Sequence, residues 1–257
     1  LHTDNSNIEG IKMYIRLECP SGGCDPWDRF ANILVKNSET NQWYEMARHI
    51  TPYGVGNSVL DRGLEVDVTD FKSLLVGNVE LKTYAETWVS SGWVISIEFD
   101  FLAGEPDYKY YQITPVIQFN NNSLSGVPYG GENGVTELDE TKFDLKKSIS
   151  LGSNIKSAHF RTIISGWGHA TPADSDGRAC AEWCFRTHKI KIDNTDKFSH
   201  YMGPIGCSSN PITNQGGNWS PDRAGWCPGM VVPVRIDQFN SDISNSTIDF
   251  EYYFQPW

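Results

Sequence analysis

No apolar run in this chain approaches the ~20 residues that a membrane-spanning helix needs. The polar opening Leu1-His2-Thr3-Asp4-Asn5-Ser6 has none of the zones of a secretory leader. The 257 residues are therefore expected to be a mature, processed form or a piece of a longer precursor. Basic charge is scarce as well: 21 Lys and Arg stand against 32 Asp and Glu, a net charge of −11. That balance excludes the phosphate-neutralising footprint of a nucleic-acid binder and disfavours docking on an anionic membrane. A neutral, hydroxyl-rich ligand such as a glycan stays compatible. The nucleophile elbow G-x-S-x-G is missing, as are C-x-x-C and His-x3-His zinc spacings. Helical periodicity is almost absent too; only the stretch around Asp70 to Leu75 suggests a brief helical turn.

What the chain has is turn chemistry and short alternating runs. It carries 23 Gly and 13 Pro, and between them lie strand-like segments. Ile11 to Leu17, Leu64 to Val68, Val94 to Phe101 and Ile190 to Ile192 alternate in the period of a half-buried strand. This predicts an all-β chain of sandwiches or jelly rolls. A weak internal repeat supports two such domains. Trp27 to Val35 after one pair of cysteines echoes Trp183 to Ile190 after another; Arg62 to Val68 echoes Pro228 to Val234; Ala85 to Trp88 echoes Phe254 to Trp257. The expected domains are 1–105 and 111–257, joined by a linker over 106–110. The first copy runs on past Trp88 into a strand and the second stops at Trp257, so an outer strand is expected to lie outside the chain or to be replaced.

Cysteines fall at 19, 24, 180, 184, 207 and 227. Disulfides and a metal site are the two readings. The missing zinc spacings favour disulfides, and with them an extracellular or periplasmic protein without a metal or other cofactor. Two segments then stand out: Cys19 to Arg29, which contains Trp27 and Asp28, and Cys180-Ala181-Glu182-Trp183-Cys184. Each sets a carboxylate beside a tryptophan in or next to a tight Cys-Cys loop. A disulfide across so short a loop removes little chain entropy and serves mainly to fix local geometry. Fixed carboxylates beside indole faces suit a sugar, whose apolar face stacks on Trp while the carboxylates bind hydroxyls or move protons. Solvated turn acids and core tryptophans would give the same letters, so only the repetition of the pattern lifts it above that bland reading. Glu86 with Trp88 is a third candidate. A fourth is the Gly- and Pro-rich loop from Cys207 to Cys227, with Arg223 placed to hold a carboxylate or a carbonyl oxygen. His169 and His188 could ligate a metal, although histidines without an acidic co-ligand more often pack or hydrogen-bond.

Several long stretches closely resemble the bacterial peptide-N-glycosidase F family. They are Glu18 to Arg29, Arg62 to Leu75, Ile164 to Ala170, Cys180 to His188 and Pro221 to Met230. The resemblance implies two eight-stranded antiparallel jelly rolls side by side, with the active site in the cleft between them. It implies an amidohydrolase that cleaves the bond between asparagine and the innermost GlcNAc of N-linked glycans. Its partners would be glycoproteins and glycopeptides, and a monomer is expected. The family's essential aspartate falls on Asp28 and its supporting glutamates on Glu86 and Glu182. Arg29 and Arg223 match site arginines, and Trp27, Trp88, Trp167, Trp183 and Trp226 match tryptophans in or near the cleft. The implied disulfides are Cys19–Cys24, Cys180–Cys184 and Cys207–Cys227. In this reading Asp28 orients or activates water, Glu182 orders that water, Arg223 holds charge, and Glu86 and Trp88 grip the first sugars. The chain departs from the family in starting and ending short of the usual two-domain length, and in a longer acidic insertion around Gly131 to Asp144. That insertion either borders the glycan path or is an idle surface loop. A true glycosidase using Asp28 and Glu182, a glycan-binding module without activity, and a copper oxygenase are the rival expectations.

Overall fold

A computed structural model describes residues 1, 4–117, 145–166, 169–170, 177, 180–239 and 243–254. The 131–144 insertion and Trp167 lie outside these described residues. As expected, the fold is all-β: among the described residues the helical elements are short 3-10 turns, one of them Thr69–Phe71 where the helical turn was expected.

The chain forms two compact units. The first comprises Leu1–Pro115, Gly206–Pro221 and Cys227–Val232; the second comprises Val116–Ile205, Asp222–Trp226 and Pro233–Trp257. This differs from two continuous stretches meeting at 106–110. The loop that follows Ile205 returns to the first unit, because Gly216 N donates to Tyr53 O (3.1 Å), Gln215 Oε1 accepts from Tyr53 N (3.1 Å), and Met230–Val231 pairs with a first-unit strand. Asp222–Trp226 then belongs to the second unit.

In the first unit, β1 (Ile8–Glu18) is the centre of a three-stranded antiparallel sheet, flanked by β4 (Leu64–Asp67) and β6 (Val94–Ala103). Its alternate residues Ile11, Met13, Ile15 and Leu17 are fully buried, as period-2 patterning requires of a strand with one face on the core. Across that core stands a four-stranded antiparallel sheet. β2 (Phe30–Asn37) lies between β3 (Gln42–Ile50) and β5 (Leu81–Ala85), and β13 (Met230–Val231) adds to the far edge of β3. Ile33, Val35, Met46 and Ala47 pack against the β1 residues; burying each large aliphatic is worth about 1.5–3 kcal/mol. Gly63 enters β4 with φ +93°, and a Cβ there would fall 2.2 Å from Ile15 O, so only glycine fits the approach to β1.

In the second unit, β11 (Arg186–Ile192) and β12 (Thr195–Met202) form a hairpin turned by Asp193 and Asn194, both at positive φ (51° and 61°), the residue types that tolerate a primed turn. β15 (Thr247–Phe254) pairs with β11, and β7 (Lys146–Ser150) with β15. β8 (His159–Ile163) pairs with β14 (Val234–Gln238), and β9 (His169–Ala170) with β10 (Cys180–Ala181). The core of this unit gathers Ile190, Ile192, Met202, Ile248, Phe250 and Tyr252. Phe160 lies against Phe239 and Phe250, with ring centroids 5.2 Å apart in both pairs.

The first echo falls on matching strands; of the Ala85 to Trp88 and Phe254 to Trp257 echo, Ala85 ends β5 and Phe254 ends β15, while residues 255–257 lie outside the described residues. The strand after each pair of cysteines, β2 or β11, is interior to its sheet, and pairs with the strand that ends at Ala85 or Phe254, β5 or β15. The remaining echo does not match: of Pro228 to Val234, Met230–Val231 extends a first-unit sheet, whereas Val234 opens β14 of the second unit.

Candidate functional site

The first cluster follows from the register of β2. Ala31 pairs with Ala85, so the chain entering β2 lies beside the chain leaving β5. The Glu86 amide donates to Phe30 O (2.9 Å), which continues the pairing one step further. Residues 25–29 are thereby set against residues 86–88. Upstream, a Cys19–Cys24 disulfide ties the end of β1 to the start of this segment. Arg29 is locked from the other side: its amide donates to Thr51 Oγ1 (2.8 Å) and its carbonyl accepts from Thr51 N (2.9 Å).

Arg29 is almost completely buried, and its charge is balanced by Asp25, which is fully buried. Arg29 Nε and Nη2 donate to Asp25 Oδ2 and Oδ1 at 2.7 and 3.2 Å, the paired geometry in which a guanidinium binds a carboxylate best. The guanidinium carbon lies 4.4 Å from the centre of the Trp88 ring. Burial alone would raise the Asp25 pKa. Hydrogen bonds from Arg29, the Trp27 amide and Thr87, with the guanidinium charge, outweigh it and hold the carboxyl below the usual carboxylate range. Glu86 shows the opposite balance: burial pushes its pKa up against the Arg29 charge and a hydrogen bond from Trp88. Asp28 is half-buried beside Arg29, while Trp27 and Trp88 are 58% and 67% exposed. The first unit therefore gathers Asp28, Glu86, Arg29, Trp27 and Trp88, with two indole faces open to a ligand.

The second cluster lies between β10 and β11. Glu182 follows β10 directly, and its carbonyl accepts from the Ala224 amide (2.9 Å), which draws the Asp222–Trp226 segment alongside. Gly225 closes that turn at φ +81° and donates to Gly203 O (3.0 Å); a Cβ there would come within 3.1 Å of Met202 Sδ. Arg223, fully buried, donates from Nε to Glu182 Oε1 at 3.0 Å. Its guanidinium carbon lies 4.3 Å from the Trp183 ring centre and 5.7 Å from that of Trp226.

These positions refine the expected roles. Trp226 is fully buried, so it backs Arg223 and does not offer a face to a ligand. Arg223, equally buried, acts on Glu182 and not on solvent. The Cys207–Cys227 disulfide forms as expected. Cys184 is disulfide-bonded, while the side chain of its expected partner Cys180 and that of His169 lie outside the described residues. His188 Nδ1 is 2.9 Å from Tyr252 Oη, the packing role weighed against metal ligation. Asp25 and Thr87 were not singled out in sequence; their only signal is position, Asp25 between Cys24 and Pro26 and Thr87 between Glu86 and Trp88.

By fold and site this is an all-β protein of two units, each holding a buried arginine between a buried carboxylate and tryptophan. Family models agree on what that combination is. Residues 32–101 match the peptide-N-glycosidase F N-terminal domain and residues 136–252 its C-terminal domain. The chain belongs to the peptide-N-glycosidase F family. It is 55% identical, over 99% of its own length and 70% of the relative's, to peptide-N(4)-(N-acetyl-beta-D-glucosaminyl)asparagine amidase F of Elizabethkingia miricola. The crystal structure of a peptide-N(4)-(N-acetyl-beta-D-glucosaminyl) asparagine amidase matches with a TM-score of 0.92 at 55% identity, covering 100% of this chain and 81% of that one. PNGase F of Flavobacterium meningosepticum, described as a glycosylasparaginase, matches with a TM-score of 0.91 at 55% identity, covering 100% of this chain and 80% of that one.

Proposed function

We propose that this chain is a peptide-N4-(N-acetyl-beta-D-glucosaminyl)asparagine amidase, which hydrolyses the side-chain amide joining asparagine to the innermost GlcNAc of N-linked glycans. Water adds to the amide carbon and the C–N bond breaks. An aspartate stays on the peptide and a glycosylamine leaves, later losing ammonia to further water. The observation that carries this reading is the 55% identity to an asparagine amidase over 99% of the chain. The preorganised carboxylates beside open indole faces support it.

Asp28 orients the attacking water and takes up its proton. Glu182, held by Arg223, orders that water and assists proton transfer. Glu86, Arg29 and Trp88 grip the first sugars, with Trp27 flanking them. Trp167 is assigned to the same site. The substrates are N-glycosylated proteins and glycopeptides. The net charge of −11 supports a neutral ligand over nucleic acid. No helix among the described residues is long and apolar enough to cross a membrane. The protein works as a monomer outside the cytosol, in secreted or periplasmic form; the disulfides Cys19–Cys24 and Cys207–Cys227 support the compartment.

The test is digestion of a defined glycopeptide followed by mass spectrometry. Asparagine converted to aspartate is the expected product, and Asp28→Asn should lower turnover by about 10²–10⁴-fold, the usual worth of a positioned acid or base. A peptide retaining Asn or Asn-GlcNAc would make the protein a glycosidase, and near-normal turnover by Asp28→Asn would remove the assigned mechanism.

A further inference from the structure

We propose that Asp25, which lies outside every expected set of site residues, is the positioning residue that fixes both Asp28 and the Arg29–Trp88 sugar platform. The proposal rests on reading Asp28, Glu86 and Trp88 as site groups. Asp25 is fully buried, so it does not touch the substrate itself. Its carboxylate accepts four hydrogen bonds: from Arg29 Nε (2.7 Å), Arg29 Nη2 (3.2 Å), the Trp27 amide (3.0 Å) and Thr87 Oγ1 (2.8 Å). Its carbonyl accepts a fifth from the Gly54 amide (3.0 Å).

The pattern of these bonds defines the role. Asp28 stands between Trp27 and Arg29, and both neighbours are tethered to the same carboxylate, one through its backbone and one through its side chain. Two fixed points bracket the Asp28 backbone, which limits where its half-buried side chain can reach. Thr87 carries the constraint across to the end of β5, between Glu86 and Trp88. Arg29 carries it to the Trp88 ring, 4.4 Å away, so the outer indole face is set by a chain of contacts that begins at Asp25. The Cys19–Cys24 disulfide alone cannot do this, because it ends one residue before Asp25. A carboxylate is required: asparagine has one acceptor oxygen and would turn an NH₂ toward donors. Loss of Asp25's charge also leaves the Arg29 guanidinium uncompensated near Glu86, and Arg29 already opposes the upward shift of the Glu86 pKa.

The experiment compares Asp25→Asn, Thr87→Val and Thr87→Ser with the wild type by steady-state kinetics on a defined glycopeptide, scaled to folded protein. Asp28→Asn is run alongside. Asp25→Asn is expected to lower kcat by about 10–100-fold, the cost of misplacing a reacting group by an ångström or less, and to raise KM as well. The acid limb of its pH profile should move to lower pH as Glu86 meets a bare guanidinium. Thr87→Val removes the hydroxyl that joins Asp25 to the segment beside Trp88, with its contacts to Val89 O (3.4 Å) and Ser91 O (3.1 Å), and leaves Arg29 on Asp25, so KM should rise about threefold or more with kcat little changed, and Thr87→Ser should restore most of that loss. A folded Asp25→Asn whose kcat, KM and pH limb match the wild type, or whose loss follows only the folded fraction, overturns the proposal; should that variant not fold, an unchanged KM in Thr87→Val does so. If Asp28→Asn is active in the same assay, it is the site reading that fails. Loss in Asp28→Asn with none in the Asp25 and Thr87 variants sinks the positioning role alone.

Discussion

Replacing Glu182 by glutamine isolates the electrostatics of the arginine anchor in the second unit, since volume and one acceptor oxygen are kept while the charge is removed. In the native protein Arg223 is fully buried with its Nε 3.0 Å from Glu182 Oε1, and Glu182 is itself 6% exposed. Removing one partner of a buried pair costs about 3–5 kcal/mol, because the surviving charge stays desolvated. The glutamine oxygen can still accept from Nε, which returns about 1 kcal/mol. The stacking of the guanidinium on Trp183 is unchanged between the two proteins and cancels. The expected loss is therefore about 2–4 kcal/mol. Removing both charges in Glu182→Gln/Arg223→Met takes away the stranded guanidinium, so the double variant should be more stable than the single by about 1–3 kcal/mol. Urea unfolding reads this as a shift of midpoint at constant slope in the transition of the unit that holds the pair. The double variant should stay inactive on glycopeptide, which separates the stability of the anchor from its use. A Glu182→Gln protein within about 0.5 kcal/mol of the wild type, the range of ordinary surface changes, would refute the argument, as would simple additivity in the double variant.

His49 is fully buried on β3, and burial lowers its pKa from 6.5 to about 4. Between those values the unfolded chain takes up a proton that the folded chain refuses. Stability should then fall as pH drops from about 6.5 to 4, by about 3 kcal/mol in total, and His49→Leu should flatten that limb in unfolding measurements across the range. Glu86 works in the other direction. Burial raises its pKa above the ordinary 4.5, so its contribution to stability is present below that value and lost as pH rises through the folded-state pKa. Glu86→Gln should be at least as stable as the wild type at pH 7 by urea unfolding, yet show a higher KM for glycopeptide; a variant weakened at neutral pH with an unchanged KM would contradict both halves.

The strands that were legible in the sequence are those with one wet face. Ile11 to Leu17, Leu64 to Val68 and Val94 to Phe101 alternate, and they fall on β1, β4 and β6 of one three-stranded sheet. β2 is not legible this way: Phe30 to Val35 are buried without a break, because β3 and β5 cover its edges and both of its faces are covered. β3 was obscured by polar letters, since Arg48 and His49 are buried within it. The return of 206–221 and 227–232 to the first unit depends on side chains such as Gln215 and Asn210 bonding backbone groups of residues far along the chain or across the loop. No local pattern encodes those bonds. For the site, the carboxylate–tryptophan pairs were visible, but their hierarchy was not. Asp25 reads as a solvated turn acid before Pro26, yet it is more buried than Asp28.

The two arginine anchors reach one physical solution by different routes. In the first unit, carboxylate and arginine come from a single turn, four residues apart; in the second they come from segments 41 residues apart, joined by the Ala224–Glu182 backbone bond. Both bury a guanidinium, which is costly unless its charge is matched and its hydrogen bonds are made. A hydrophobic side chain would fill either position at less cost, so stability alone does not account for them. A planar cation can be held in its plane by a carboxylate while one face lies on an indole, as Arg29 does with Trp88 and Arg223 with Trp183. It thereby transmits orientation from a buried acid to a ring that is exposed or half-exposed, without itself meeting solvent. In the second unit the direction is reversed, since the arginine fixes the acid, Glu182, that is assigned to the chemistry. Positions fixed in this way need little rearrangement when substrate arrives, which is why β-strand ends and disulfide-bounded turns, and not mobile loops, carry these groups.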